Sequence, residues 1–448
     1  TTTGAGGATT TTTGSGGAGG VTTTGSGGAG GVTTTGSGGA GGVTTTGSGG
    51  AGGVTTTTTG SGGAGAGPVD AGADAPHDAA VDAPHDAAPD APAGPVDIGF
   101  YTYTAVLPPA GLLDPQAVAW HPSGQYALVL NGTDAVFRYD AAAKTLTKVA
   151  SVGATVSWRT LAFTPDGATA VLLGNTYTAP IEGRIYLWDH ATGTVAQAAA
   201  DTLAGGAYQA IAWSPDGSTA RLLGSKSNVG SYLAYIWTYD PAVGRSNLKA
   251  RNTSAGCEDL AFATDAFGLP AVAVTCGVNG VTLFHLDVNE QFVDYNGNAG
   301  NTSRIAARPQ GDYALAVGWS GQKLYRFQLG NWSTGFNNPQ VLGGYQVQFS
   351  TDGRRALILG GCSQCGGANA RGQVYEFRHD LFSQAEIVDV SIPSFSSAPY
   401  NADSAVQLHD AAWRPGCDGG LVVGGANTFA SKKGYVVRFT VDNGVACP

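Results

Sequence analysis

TLAFTPDG, residues 160–167, sets a short apolar run ending on an aromatic, Phe163, directly against a Pro-Asp-Gly turn. Pro fixes φ at the first central position of such a turn, Asp bonds the local backbone and Gly accepts a positive φ, so the segment predicts the corner of a β-hairpin. The pattern returns as AVAWHPSG (117–124), AIAWSPDG (210–217) and QVQFSTDG (346–353), and in looser form as DLAFATDAFG (259–268), RIAARPQG (304–311) and DAAWRPGCDG (410–419). Trp120, Phe163, Trp213, Phe262, Ala307, Phe349 and Trp413 hold the aromatic position. A period mostly in the forties, with four short strands in each, is the sequence form of propeller blades.

The first unit reads as AVAW, YALVLNG, AVFRYD and TLTKVAS, and later units repeat the order with strands ending at Asp189, Asp240, Asp287 and Asp380. The expectation is an all-β, seven-bladed β-propeller over residues 97–448. Its last unit stops one strand short at Pro448, and FYTYTAVL, Phe100 to Leu107, is expected to supply that strand and close the ring from the N-terminal side. With its PDG-type corners and single Trp188-Asp189 dipeptide, this region resembles the seven-bladed propellers of the WD40-like and YVTN-type bacterial surface families. That resemblance implies the fold and a place on a cell surface. It transfers no activity, because propellers bind, scaffold and catalyse alike.

Ahead of the head lie two segments of different composition. Residues 1–69 carry no charge and no aromatic ring, and from Thr11 to Val54 they contain four identical copies of TTTGSGGAGGV. Such a sequence cannot bury an apolar core, so its periodicity points to assembly. The β-branched VTTT stretch favours extended backbone, while GSGGAGG permits close approach of neighbouring chain. Three arrangements fit: rungs of a small solenoid, extended strands bundled with other subunits' tails, or a rod stiffened by sugars. Bundling is the arrangement favoured, with an axial step of roughly 35 Å for eleven extended residues. Val21, Val32, Val43 and Val54 are the assembly candidates; Thr22, Thr23, Thr24, Thr33, Thr34, Thr35, Thr44, Thr45 and Thr46 are the candidates for glycosylation. Residues 70–96 place Asp at 70, 74, 78, 82, 86 and 90 among recurrent prolines and read as an extended, self-repelling linker. In style this linker resembles those of myxobacterial secreted proteins.

The net charge is −10, and from Asp70 to Asp97 seven Asp occur with no Lys or Arg. Nothing supplies the basic excess that a phosphate backbone demands, so nucleic acid is not expected as a partner. No apolar run approaches the ~20 residues of a membrane span. The chain has no Met, including at position 1, which fits removal of a secretory signal. Its six cysteines fall into local sets expected as disulfides: Cys257 with Cys276, Cys362 with Cys365, and Cys417 with Cys447. An extracellular location follows as the expectation.

Aligning the innermost strands places Gln116, Arg159, Gln209, Glu258, Ser303, Gln346 and His409 at equivalent positions ahead of the aromatic, near one mouth of the central channel. Gln116, Arg159, Gln209, Glu258, Gln346 and His409 are the ligand-binding candidates, a polar ring fit to grip a sugar or a small anion. Asp259 and Asp410 stand next to the ring, yet its acids and histidines are too sparse for a hydrolytic metal, and no metal, cofactor or catalytic residue is expected. No nucleophile elbow, zinc-protease helix, P-loop or dinucleotide fingerprint occurs. Trp332 and Tyr400 read as exposed loop aromatics, and Asn131, Asn252, Asn301 and Asn331 begin N-x-Ser/Thr sequons. The functional expectation is an extracellular structural protein, a fibre or filament subunit that polymerises with copies of itself through the arm and carries attached glycans. The alternatives are a surface-tethered propeller that binds glycan or protein, and a lactonase-like hydrolase.

Overall fold

A computed structural model describes residues 101–448 apart from 154–155, 229, 265–269, 278–281, 288, 295–303, 319–322, 329–330, 338–343, 361–372, 379–386, 390–405, 428–431, 443–446 and 448. It also describes the backbone of four short strands near the N-terminus. The chain divides into two compact units, Thr1–Ala88 and Pro89–Pro448.

The second unit is a β-propeller. Six four-stranded antiparallel sheets and one five-stranded sheet follow one another along the chain. The first is built of Ala117–Trp120, Tyr126–Leu130, Ala135–Asp140 and Thr145–Ser151, the strands read from the sequence. The innermost strands are Ala117–Trp120, Val156–Phe163, Ala207–Trp213, Cys257–Thr264, Arg304–Ala307, Gly344–Phe349 and Val406–Trp413. Each lies against the next, and the last returns to the first, so they enclose a channel. The sheet headed by Val156–Phe163 has the fifth strand, Leu203–Ala204, paired with the mouth end of Glu182–Asp189.

Ring closure joins the two ends of this unit. Tyr101–Val106 lies antiparallel on Lys432–Val441, with Val436 opposite Val106 and Val441 opposite Tyr101. The carbonyl of Asp418 accepts the Val441 N–H at 3.0 Å, so the chain enters this unit at the hairpin-corner end of its outermost strand. A disulfide from Cys417 to Cys447 ties the final residues to the same corner.

Packing explains why second strands such as Tyr126–Leu130 and Tyr313–Val317 are apolar throughout rather than alternating. Successive side chains of a strand point to opposite faces, and here each face meets a neighbouring sheet. In Tyr126–Leu130, Ala127 and Val129 pack toward the sheet of Val406–Trp413, whereas Tyr126, Leu128 and Leu130 pack toward that of Val156–Phe163. All five residues are buried. Each fully buried Leu or Val contributes about 1.5–3 kcal/mol, and an apolar cluster of this kind fills every space between neighbouring sheets.

The corners take the conformation that their sequence demands. Gly167 donates its N–H to Thr164 O at 2.8 Å and has φ +74. Asp166 accepts from the Thr164 hydroxyl at 2.6 Å and from Ala168 N–H at 2.9 Å. Ser214 with Asp216 and Ser350 with Asp352 repeat this closure. Three corners begin instead with His121, Arg308 or Arg414, and these side chains reach the corner glycine of the following sheet. His121 Nε2 lies 3.1 Å from Gly167 O, Arg308 Nε donates to Gly353 O at 3.1 Å, and Arg414 Nε donates to Gly124 O at 2.8 Å.

In the first unit, Thr12–Thr13, Thr22–Thr24, Thr33–Thr35 and Thr45–Thr46 form a parallel sheet. Its register steps by one repeat, pairing Thr12 with Thr23, Thr22 with Thr33 and Thr34 with Thr45. These pairings run from one repeat to another of the same chain, the arrangement expected of stacked rungs. Val21, Val32, Val43, Val54, Thr44, the linker 70–96, Cys362, Cys365, Asn301 and Tyr400 lie outside the described residues.

Two surface assignments change. Trp332 is buried in the outer strand Asn331–Asn337, its ring 5.1 Å from Phe327. Asn131 is no glycan acceptor: it is buried, accepts from Leu113 N–H at 2.6 Å, and donates to Gly111 O and Thr133 Oγ1.

Candidate functional site at the channel mouth

The polar ring is made by β-bulges. On the innermost strands the pairing skips one residue at Arg159, at Gln209, at Glu258 and at His409. A bulge leaves that residue out of the ladder and re-aims its side chain. These residues sit at the end of the channel opposite the corners. Gln116 precedes its strand, holding Leu130 O through its backbone and Asp114 O through its amide at 2.7 Å. Gln346 is not equivalent to the others. It stands one residue nearer its aromatic, and the bulge of its strand falls at Tyr345.

The structure distributes the six candidates between two connected spaces. Gln116, Arg159, Gln209, Gln346 and His409 line the channel cavity of about 300 Å³. Arg159, Gln209 and Glu258 line an adjoining groove of about 480 Å³, with Ser225, Ser227 and Tyr232 opposite. Arg159 Nε and Nη2 both donate to Gln209 Oε1, at 3.1 and 2.7 Å. His409 Nε2 meets Asp114 Oδ1 at 2.8 Å, and Glu258 faces Arg304 at 3.6 Å. The Cys257–Cys276 disulfide joins the two strands immediately before the Glu258 bulge and fixes where it emerges.

A second layer, one residue farther along, has a different task. Asp259 accepts from its own following N–H, Leu260, at 2.9 Å and from Ile305 N–H of the next sheet at 3.1 Å. Asp410 does the same with Ala411 at 2.8 Å and Val118 at 2.9 Å, and also receives the Gln346 amide at 2.6 Å. These carboxyls tie neighbouring inner strands together. Sequence reading set them beside the ring but had no sign of this role, because the acceptor is recognised by a backbone N–H on another sheet.

Burial dominates the titration of this layer. It pushes Asp259 up to about 6 against the opposing pull of Arg304 and two N–H donors. It likewise pushes Asp410 up to about 6 against Gln346 and its two N–H donors. Arg159 is brought down to about 10, first by desolvation and then by the like charge of Arg304. Asp259 and Arg159 keep some accessible surface because that surface faces the channel, not bulk water.

These shifts give a pH prediction. The folded head binds both carboxyl protons more tightly than an unfolded chain with pKa near 3.8, so their contribution is complete below about pH 4 and lost as pH rises through about 6. For Asp410 the shift corresponds to about 3 kcal/mol at ~1.4 kcal/mol per pKa unit. Asp410→Asn is expected to flatten the melting profile between pH 4 and 7 relative to the unsubstituted chain. Parallel profiles in thermal melts would contradict the assignment.

Among the described residues, no three His, Cys, Asp or Glu side chains converge in a metal-ligating group. No described helix is long and apolar enough to cross a membrane. No family model matches the chain, and no curated protein is similar to it.

Proposed function

We propose that the chain is the subunit of an extracellular fibre or surface filament, assembled through residues 1–69, with propeller heads displayed along it. The observation that carries this reading is the one-repeat parallel register of the arm strands. Identical threonine rungs offer the same backbone pattern at every repeat, so a rung from another copy is a matched pairing partner for any of them. Two disulfides among the described residues suit an oxidising compartment. The likeness to bacterial surface propellers fits the same setting, as do threonine runs open to glycosylation.

Deleting Thr1 to Gly67 is expected to leave a soluble, monomeric, folded head that forms no filaments under the electron microscope. Fibre diffraction of the intact protein is expected to show a spacing of ~4.8 Å from stacked rungs, in place of the ~35 Å step of bundled extended tails. A truncated head that still polymerises would refute the reading.

A further inference from the structure

We propose that the groove beside the channel mouth binds a carboxylate-bearing sugar, a uronic acid, with its carboxylate on Arg159. The inference goes beyond the assembly reading and does not depend on it.

Arg159 differs from the other inward-lying arginines of the head. Arg245 pairs with Asp201, Arg221 with Glu290, Arg308 with Asp312 and Arg355 with Glu376. Arg159 has no ion-pair partner among the described residues and is held by the neutral amide of Gln209 alone. Glu258 and Asp259 lie near enough to favour its charge, but an inward guanidinium without a contact ion pair remains unfavourable. Here it is also rigid, because two of its nitrogens are fixed on one oxygen and its backbone is fixed by the bulge. The remaining N–H groups form the planar fork that a carboxylate meets with two parallel hydrogen bonds.

The rest of the groove matches a polyhydroxylated body. Glu258 opposite Arg159 accepts hydroxyl hydrogen bonds and disfavours a dianion such as phosphate. Ser225 and Ser227 bring hydroxyl side chains to the groove. Tyr232 and Ile181 are 39% and 51% exposed at the groove and present apolar surface to the C–H face of a pyranose. A volume of about 480 Å³ admits one or two sugar rings.

The test is calorimetric titration of the full-length chain with glucuronate and galacturonate, beside glucose, galactose and acetate. A uronate is expected to bind about tenfold or more tighter than its neutral sugar, the range of one charge-assisted contact, and tighter than acetate. Arg159→Gln is expected to lose that advantage and Glu258→Gln to weaken both sugar types. Should Arg159→Gln fail to fold by circular dichroism, Tyr232→Ala at an exposed ring carries the test, with a severalfold loss expected. Equal binding of neutral and acidic sugars, acetate binding as tightly as the uronate, an Arg159→Gln chain indistinguishable from the original, or no heat with either uronate at millimolar concentration would each overturn the proposal. Assembly is read by microscopy and sugar capture by heat, so either reading fails without the other.

Discussion

A chain shortened to begin at residue 108 is expected to lose the cooperative unfolding of its head, whereas one beginning at residue 97 keeps it. The difference between them is essentially the closing strand, Tyr101–Val106. It pairs along six positions with Lys432–Val441, buries Val106, and packs Tyr101 and Tyr103 against the cluster containing Trp413 and Phe439. Val106 alone contributes about 1.5–3 kcal/mol, and each ladder hydrogen bond about 0.5–1.5 kcal/mol. Their sum is comparable with the ~5–15 kcal/mol that holds a whole domain folded. The loss also leaves Lys432–Val441 as an exposed edge, a template for pairing with other chains. Calorimetry and size exclusion separate the outcomes: the shorter chain gives a broad or absent transition and aggregates. A shorter chain melting within a few degrees of the longer would show that the ring does not need this strand.

Glu376→Leu is expected to cost about 3–5 kcal/mol, the usual consequence of removing one member of a buried ion pair. Glu376 is fully buried and its carboxylate lies 3.9 Å from Arg355 Nε, itself nearly inaccessible. The Tyr101 phenol adjoins the pair; burial first, and then the Glu376 charge, hold its pKa well above the usual range. Without Glu376 the guanidinium stays buried with no carboxylate, and the melting temperature should fall by on the order of 10 °C. Arg355→Leu combined with Glu376→Leu is expected to recover most of that loss, since an apolar pair of similar volume removes both desolvation terms. A double variant no more stable than the single would place the damage in packing instead.

The corners and the period were legible because each is a local event: proline, a short polar residue and glycine act within four positions. The closing strand was legible for a different reason, since a last unit one strand short needs a partner and Tyr101–Val106 is the apolar run available. What escaped depends on partners far along the chain. The Asp259 bond to Ile305 and the Asp410 bond to Val118 span separations that no motif encodes. The corners of Arg308 and Arg414 were read only as looser versions of the motif, although their side chains, like that of His121, latch onto the next corner. Alignment ahead of the aromatic grouped Gln346 with the others, but a bulge is placed by strand pairing, and pairing places it at Tyr345. Trp332 was read as loop because Asn and Gly surround it; in the fold it covers Phe327. In the arm the repeat was evident, because exact repetition is itself a sequence property.

The strand shared by the two ends of the head also sets when the ring can be completed. Tyr101–Val106 leaves the ribosome long before Lys432–Val441, its neighbour in the sheet among the described residues. Until then every intermediate of translation is an open arc with an uncovered border. Contacts of such sequence separation form slowly, so the nascent chain must be guarded along its full length rather than one blade at a time.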